Sequence, residues 1–204
     1  MTKIIYSFFL ASILLLSFGF KNEEPKKSIL GKEINNFTLK NINRRFVSLN
    51  DYKNAKGFAI MFTCNHCPFA KLYSKRMNQL NKKYAALGVP LLAINSMDTL
   101  LYEEETFDQM QLKAKNNQFS FPYLFDETQS VGKQFNAEHT PQVFVIWKEN
   151  NKWIIKYSGA FDDNGEHPEK AKPFVANAID DLLRNKQVKN PETQSFGCRI
   201  YYRK

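Results

Sequence analysis

Between Phe58 and Pro68 the chain passes from an unbroken apolar run, Phe58-Ala59-Ile60-Met61-Phe62, through Thr63-Cys64-Asn65-His66-Cys67 into a stretch with helical spacing. Five apolar residues without alternation predict a central strand covered on both faces. Phe69, Leu72, Tyr73, Met77, Leu80, Tyr84 and Leu87 then recur every three or four positions, which predicts one long amphipathic helix. Pro68 falls in its first turn, where a missing N–H costs nothing, and Gly88 closes it. Two cysteines three apart are thus pinned where a buried strand becomes a helix. Few folds offer that junction.

The rest of the chain completes an α/β order. Phe37-Thr38-Leu39 and Phe46-Val47-Ser48-Leu49 flank a turn region at 41–45 and suit an N-terminal β-hairpin at a sheet edge. Val89 to Ile94 reads as a second buried strand. A helix with Glu103, Glu104 and Glu105 at its start, acids placed well against the helix dipole, runs to about Lys115. Tyr123-Leu124-Phe125 is short and extended, and 129–135 a short helix. Val143 to Trp147 and Trp153 to Tyr157 form a hairpin turned by Asn150-Asn151. Val175, Ala178, Ile179, Leu182 and Leu183 give the apolar face of a last helix. The order β-β, β-α, β-α, short α, β-β, α predicts a central mixed sheet flanked by helices on both faces.

The junction carries the chemistry. A helix N-terminus holds about half a positive charge and free N–H groups, which favour a thiolate. Spacing of i, i+3 across a first turn brings two sulfurs within disulfide reach. Cys64 is expected at the cap, exposed, as the attacking nucleophile, and Cys67, one turn in, as the thiol that resolves the mixed disulfide. His66 lies between them; in its charged form it would favour the Cys64 thiolate and tune the pair, the lesser alternative being a solvated histidine without a role. A four-ligand zinc site would need two more ligands. Outside the motif only Cys198, His139 and His167 offer sulfur or imidazole, and none is paired at ligand spacing. No metal and no cofactor are therefore assigned. A purely structural disulfide closing so short a loop would stabilise little by chain entropy.

The first twenty residues stand apart. Lys3 precedes an apolar run, Ile4 to Leu16, interrupted by Ser7 and Ser12, and Ser17-Phe18-Gly19 places small residues two apart. This is the pattern of a signal peptide over 1–20, followed by a polar linker over 21–29, a domain over 30–188 and a tail over 189–204 that carries Cys198. Export to a periplasm or the cell exterior is expected; an uncleaved leader would make a membrane anchor, the chain's one expected tie to a membrane. The net charge of +9 comes from 29 basic residues scattered among 20 acidic ones, without a stripe or an aromatic–basic alternation. That describes a solvated surface and argues against nucleic acid as a partner.

The strand–CxxC–helix–strand core followed by Thr140-Pro141 before the next strand resembles the thioredoxin fold. More closely, the chain is similar to the exported, peroxiredoxin-like redoxins grouped with the alkyl hydroperoxide reductase and thiol-specific antioxidant family. The stretches that carry this likeness are 63–69, Ala93-Ile94-Asn95-Ser96 with Asp98, Phe121-Pro122-Tyr123-Leu124 with Asp126-Glu127, Thr140-Pro141, Gly159 with Asp162-Asp163, and Gly197-Cys198. Together they cover about residues 30 to 200. The resemblance implies that Pro141 is cis and packs beside the cysteines, where Thr140 and Pro141 receive substrate backbone. Two departures stand out. Aligning Cys67 with a peroxidatic cysteine puts Cys64 where those enzymes keep a threonine and Ile60 where they keep a proline, which counts against peroxidase activity. The acid buried near the second cysteine of thioredoxin has no counterpart, since Phe58 holds its place.

The sequence therefore predicts a thiol–disulfide oxidoreductase that exchanges electrons between Cys64–Cys67 and exported protein or small thiols, with an unidentified electron donor or acceptor. Two alternatives stay open: a thiol peroxidase that reduces hydroperoxides, and a non-catalytic thioredoxin-fold binding module. Cys198, the odd cysteine, is a candidate additional redox thiol, an intermolecular partner or an inert side chain.

Overall fold

A computed structural model describes residues 28–204. The leader expected at 1–20 and all but the last two residues of the expected linker lie outside the described residues. In chain order the elements are β1 (Glu33–Ile34), β2 (Thr38–Asn41), β3 (Phe46–Ser48), β4 (Gly57–Phe62), α1 (Pro68–Lys71), α2 (Ser74–Tyr84), β5 (Leu91–Asn95), α3 (Phe107–Asn116), β6 (Tyr123–Phe125), α4 (Ser130–Phe135), β7 (His139–Thr140), β8 (Gln142–Glu149), β9 (Lys152–Gly159), α5 (Phe174–Leu183) and β10 (Cys198–Arg199). Among the described residues no helix is long and apolar enough to cross a membrane.

Eight strands form one mixed sheet in the order β1-β9-β8-β4-β5-β6-β2-β3, and β10 pairs with β7 apart from it. β4 lies near the centre, parallel to β5 and antiparallel to β8, and every one of its residues is buried. Its alternate side chains divide the core. Phe58, Ile60 and Phe62 face a layer completed by Ala70, Val131 and Phe135, whereas Ala59 and Met61 face α2, α3 and α5. Helices thus cover both faces of an α/β sheet, as the unbroken apolar run requires. The expected hairpin is β2–β3 at one edge, and Asn150 and Asn151 both take positive φ, 49° and 63°, in the turn between β8 and β9.

Two helices differ from expectation. The helix predicted from Phe69 to Leu87 is broken after α1: Leu72 and Tyr73 donate to Phe69 and Ala70, three residues back instead of four. That tighter turn seats Tyr73 against Phe161 and lets its hydroxyl reach Asp162 at 3.0 Å. The helix predicted from Glu103 to Lys115 is likewise split. Glu103–Glu105 form a 3-10 turn, and Thr106, extended at φ −62° and ψ 156°, caps α3 separately. The break turns one of the three glutamates inward.

Candidate active site

β4 delivers the chain to Cys64. The Thr63 N–H still bonds Ile94, but beyond it the backbone leaves the sheet and its N–H groups need other partners. Glu105, wholly buried, provides them. Its carboxylate accepts from the Asn65 N–H at 2.8 and 2.9 Å, from the His66 N–H at 2.9 Å and from the Asn95 side-chain amide at 2.7 Å. The Tyr123 hydroxyl donates to the Asn65 side chain at 2.9 Å, and the Lys113 ammonium donates to the Cys64 carbonyl. Burial holds the Tyr123 phenol well above its ordinary value, so it remains a donor, and burial pulls the Lys113 ammonium down. The loop between the cysteines is therefore held from outside the motif. Sequence reasoning missed Glu105 and Lys113.

The cap falls one motif length later than expected. Cys67, not Cys64, is the N-cap residue, because Pro68 takes the first helical position. Both sulfurs are free thiols and both residues are fully buried, which corrects the expectation of an exposed Cys64. Thr140 touches both. Its hydroxyl lies 2.9 Å from the Cys64 sulfur and its carbonyl oxygen 3.1 Å from the Cys67 sulfur. The Thr140–Pro141 peptide bond is cis, as the resemblance implied.

The negative charge of the pair belongs on Cys67. Its acidity is raised first by the Cys64 thiol, which donates to it, then opposed by burial, then helped by the Cys198 thiol and by the N–H groups of Ala70 and Cys198. The result is a thiol lowered to about 4. The contact with the Thr140 carbonyl favours a neutral thiol and works against this lowering. Cys64 moves the opposite way. Burial, its bond to Cys67 and the negative charge of Glu105 all push it up, and only the Thr140 hydroxyl pulls it down.

His66 meets this group through Glu105. Its Nδ1 lies 2.6 Å from the carboxylate and its ring stacks on Tyr102 at 4.5 Å. Cys64, His66 and Glu105 bring their donor atoms within 4.8 Å of one another, the one such cluster among the described residues. Three donors fall short of a closed zinc site, and this carboxylate already accepts from backbone and side-chain N–H groups and meets the imidazole. His139 stands apart from it, bonded to Ser195.

Cys198 joins the pair. β10 runs antiparallel to β7 with Cys198 opposite Thr140, so the tail returns to the cysteines. Around the buried sulfurs the surface is apolar on one side, where the exposed rings of Phe69 and Phe196 meet edge to face at 6.1 Å beside Leu72. On the other side an open polar cleft of about 540 Å³ is lined by His66, Lys71, Glu104, Gln109 and Lys113.

Comparison with known proteins places this geometry. The AhpC/TSA family model matches residues 30–157. An uncharacterized conserved protein from Geobacillus kaustophilus is 34% identical and superposes with a TM-score of 0.76, covering 85% of this chain and 92% of that one. A hypothetical protein from Sinorhizobium meliloti 1021 is 28% identical at a TM-score of 0.79, covering 87% and 96%. Thiol-disulfide oxidoreductase ResA from Bacillus cereus is 28% identical over 131 residues, 64% of this chain and 70% of that protein.

Proposed function

From the premise that this chain belongs to the AhpC/TSA family, we propose that it is a thiol–disulfide oxidoreductase whose exchanging pair is Cys64 and Cys67. One observation carries the reading: two free, buried thiols three residues apart meet the same threonine at a helix start, and the second of them is the helix N-cap. The name of the ResA relatives supports the same reaction class.

In this proposal the roles expected from the sequence are exchanged. The Cys67 thiolate attacks a substrate disulfide; an S–S bond forms to Cys67 as the substrate bond breaks, and the departing sulfur takes up a proton. Cys64 then gives up its proton and attacks the Cys67 sulfur. The second substrate thiol leaves, and the chain holds a Cys64–Cys67 disulfide. The reverse sequence oxidises a dithiol. Thr140 serves both sulfurs, its hydroxyl against Cys64 and its carbonyl against Cys67. Exchange with a disulfide is favoured over peroxide reduction because the neighbours of the charged sulfur are further thiols, while the threonine and proline of a peroxide pocket are replaced by Cys64 and Ile60. Protein thiols are the proposed partners, since the Phe69, Leu72 and Phe196 surface beside the sulfurs offers apolar contact to a chain. The leader expected at 1–20 supports an exported setting.

Insulin reduction by dithiothreitol tests the reading. Cys67→Ser is expected to fall to the uncatalysed rate. Full activity in that variant would end the proposal.

A further inference from the structure

Resting on that reading, we propose that Cys198 is a second resolving thiol, which exchanges with Cys67 inside the same chain and locks the tail strand over β7 as a Cys67–Cys198 disulfide. The geometry argues for it at three levels. The tail strand is in register: Cys198 faces Thr140, whose carbonyl touches the Cys67 sulfur at 3.1 Å and whose hydroxyl, 2.9 Å from the Cys64 sulfur, lies 3.4 Å from the Cys198 carbonyl. Cys198 also packs against the buried cluster that holds both cysteines. The approach is made possible by Gly197, at φ +143°, where a Cβ would lie 2.3 Å from the Thr140 oxygen. The tail is also fastened on both sides of Cys198. Ser195 bonds His139, Phe196 packs on Phe69, and the Tyr202 hydroxyl donates to the Ala137 carbonyl at 2.6 Å.

The position has a consequence for access. β10 is the strand paired with β7, and without it the β7 backbone would present open N–H and C=O groups beside the sulfurs. An extended peptide bringing its own cysteine to Cys67 would add to that edge. The tail already occupies it, so it behaves as an internal substrate.

The step conserves electrons. The Cys198 thiolate attacks the Cys67 sulfur of the Cys64–Cys67 disulfide; the 67–198 bond forms as the 64–67 bond breaks, and Cys64 leaves and takes up the proton that Cys198 released. Burial and its bond to Cys67 push the Cys198 thiol up to about 12 while Cys67 is free. Disulfide formation at Cys67 removes the charge responsible for the second of these causes. One isomer covers β7 covalently, and the other leaves the tail free to be displaced.

The test oxidises reduced full-length protein with diamide, which takes two electrons and two protons from a dithiol, quenches in acid and maps linked peptides by mass spectrometry. Cys64→Ser is expected to give the Cys67–Cys198 linkage within one chain as its main product. Adding Gly197→Val should lower that yield about tenfold, because the thiol returns to the effective concentration of a loose tail. Gly197→Val alone should still form Cys64–Cys67, which controls for folding. A Cys64→Ser protein whose Cys198 stays free to alkylation, or links only between chains, overturns the proposal, as does a yield indifferent to Gly197→Val. The oxidoreductase reading fails separately, through an absent Cys64–Cys67 disulfide in the unaltered chain or through an active Cys67→Ser variant.

Discussion

Glu105 grips the backbone of Asn65 with both carboxylate oxygens, at 2.8 and 2.9 Å, from an element forty residues away. The bond matters because it takes up N–H groups that the strand end leaves unpaired in a buried place. Glu105→Gln keeps the shape and replaces one acceptor oxygen by an NH₂ that faces donors. A buried donor–donor conflict costs about 1–3 kcal/mol. The urea midpoint of the reduced protein is expected to fall by that equivalent with its slope unchanged. An unshifted midpoint would remove Glu105 from the account of how the loop is held.

The same carboxylate stands beside Cys64 and adds to the burial and the Cys67 contact that oppose ionisation there. Alkylation by iodoacetamide, read peptide by peptide, should report this. With its pKa lowered to about 4, Cys67 is already a thiolate at pH 5, so its labelling rate should be nearly level from pH 5 to 8. An ordinary thiol rises about tenfold per pH unit across that range. Cys64 should label far more slowly throughout. A Cys67 rate that climbs tenfold per unit returns the charge to the sulfur that the spacing of the motif favours.

Much of this arrangement is legible in the amino-acid sequence. The run 58–62 reads as a doubly covered strand and the apolar spacing after Pro68 as helical, which puts the cysteines at their junction. Pro68 also signals the cap: a proline at the first helical position makes the preceding residue the N-cap, which is Cys67. Other features leave no trace. β7 and β10 are two residues each, too short to show a period, and their pairing depends on a return of the chain across 58 positions. Three consecutive glutamates look alike in sequence. Only the extended Thr106, which separates the 3-10 turn from α3, determines that Glu105 is the one buried.

Thr140→Val isolates the hydroxyl. Valine keeps the volume and leaves the backbone carbonyl on Cys67, but the Cys64 sulfur loses its 2.9 Å partner. That bond is the one cause holding the Cys64 thiol down, so its loss should slow the second step, the attack on the mixed disulfide, and spare the first. A bond worth about 1 kcal/mol corresponds to roughly a fivefold slowing. Stopped-flow reaction with a fluorescent peptide disulfide should show an unchanged fast phase and a slower release of the second thiol. Slowing confined to the first phase would contradict the assignment of Thr140 to Cys64.

The lowered Cys67 pKa also ties stability to pH, with a definite sign. A group whose folded pKa lies below its unfolded value binds fewer protons when folded, so it contributes fully above the unfolded thiol value, about 8.5, and its contribution is lost as pH falls through about 4. Reduced protein should therefore gain stability relative to Cys67→Ser as pH rises from 5 to 8, at up to about 1.4 kcal/mol per unit. The raised Cys64 pKa acts in the opposite sense, but only above the ordinary thiol range, so measurements below pH 8 keep the two apart. Oxidation to a disulfide removes the titrating thiol and should flatten the difference. Urea titrations of both proteins across that window decide the matter, and a difference independent of pH in the reduced state would mean that the capping sulfur carries its proton at neutrality.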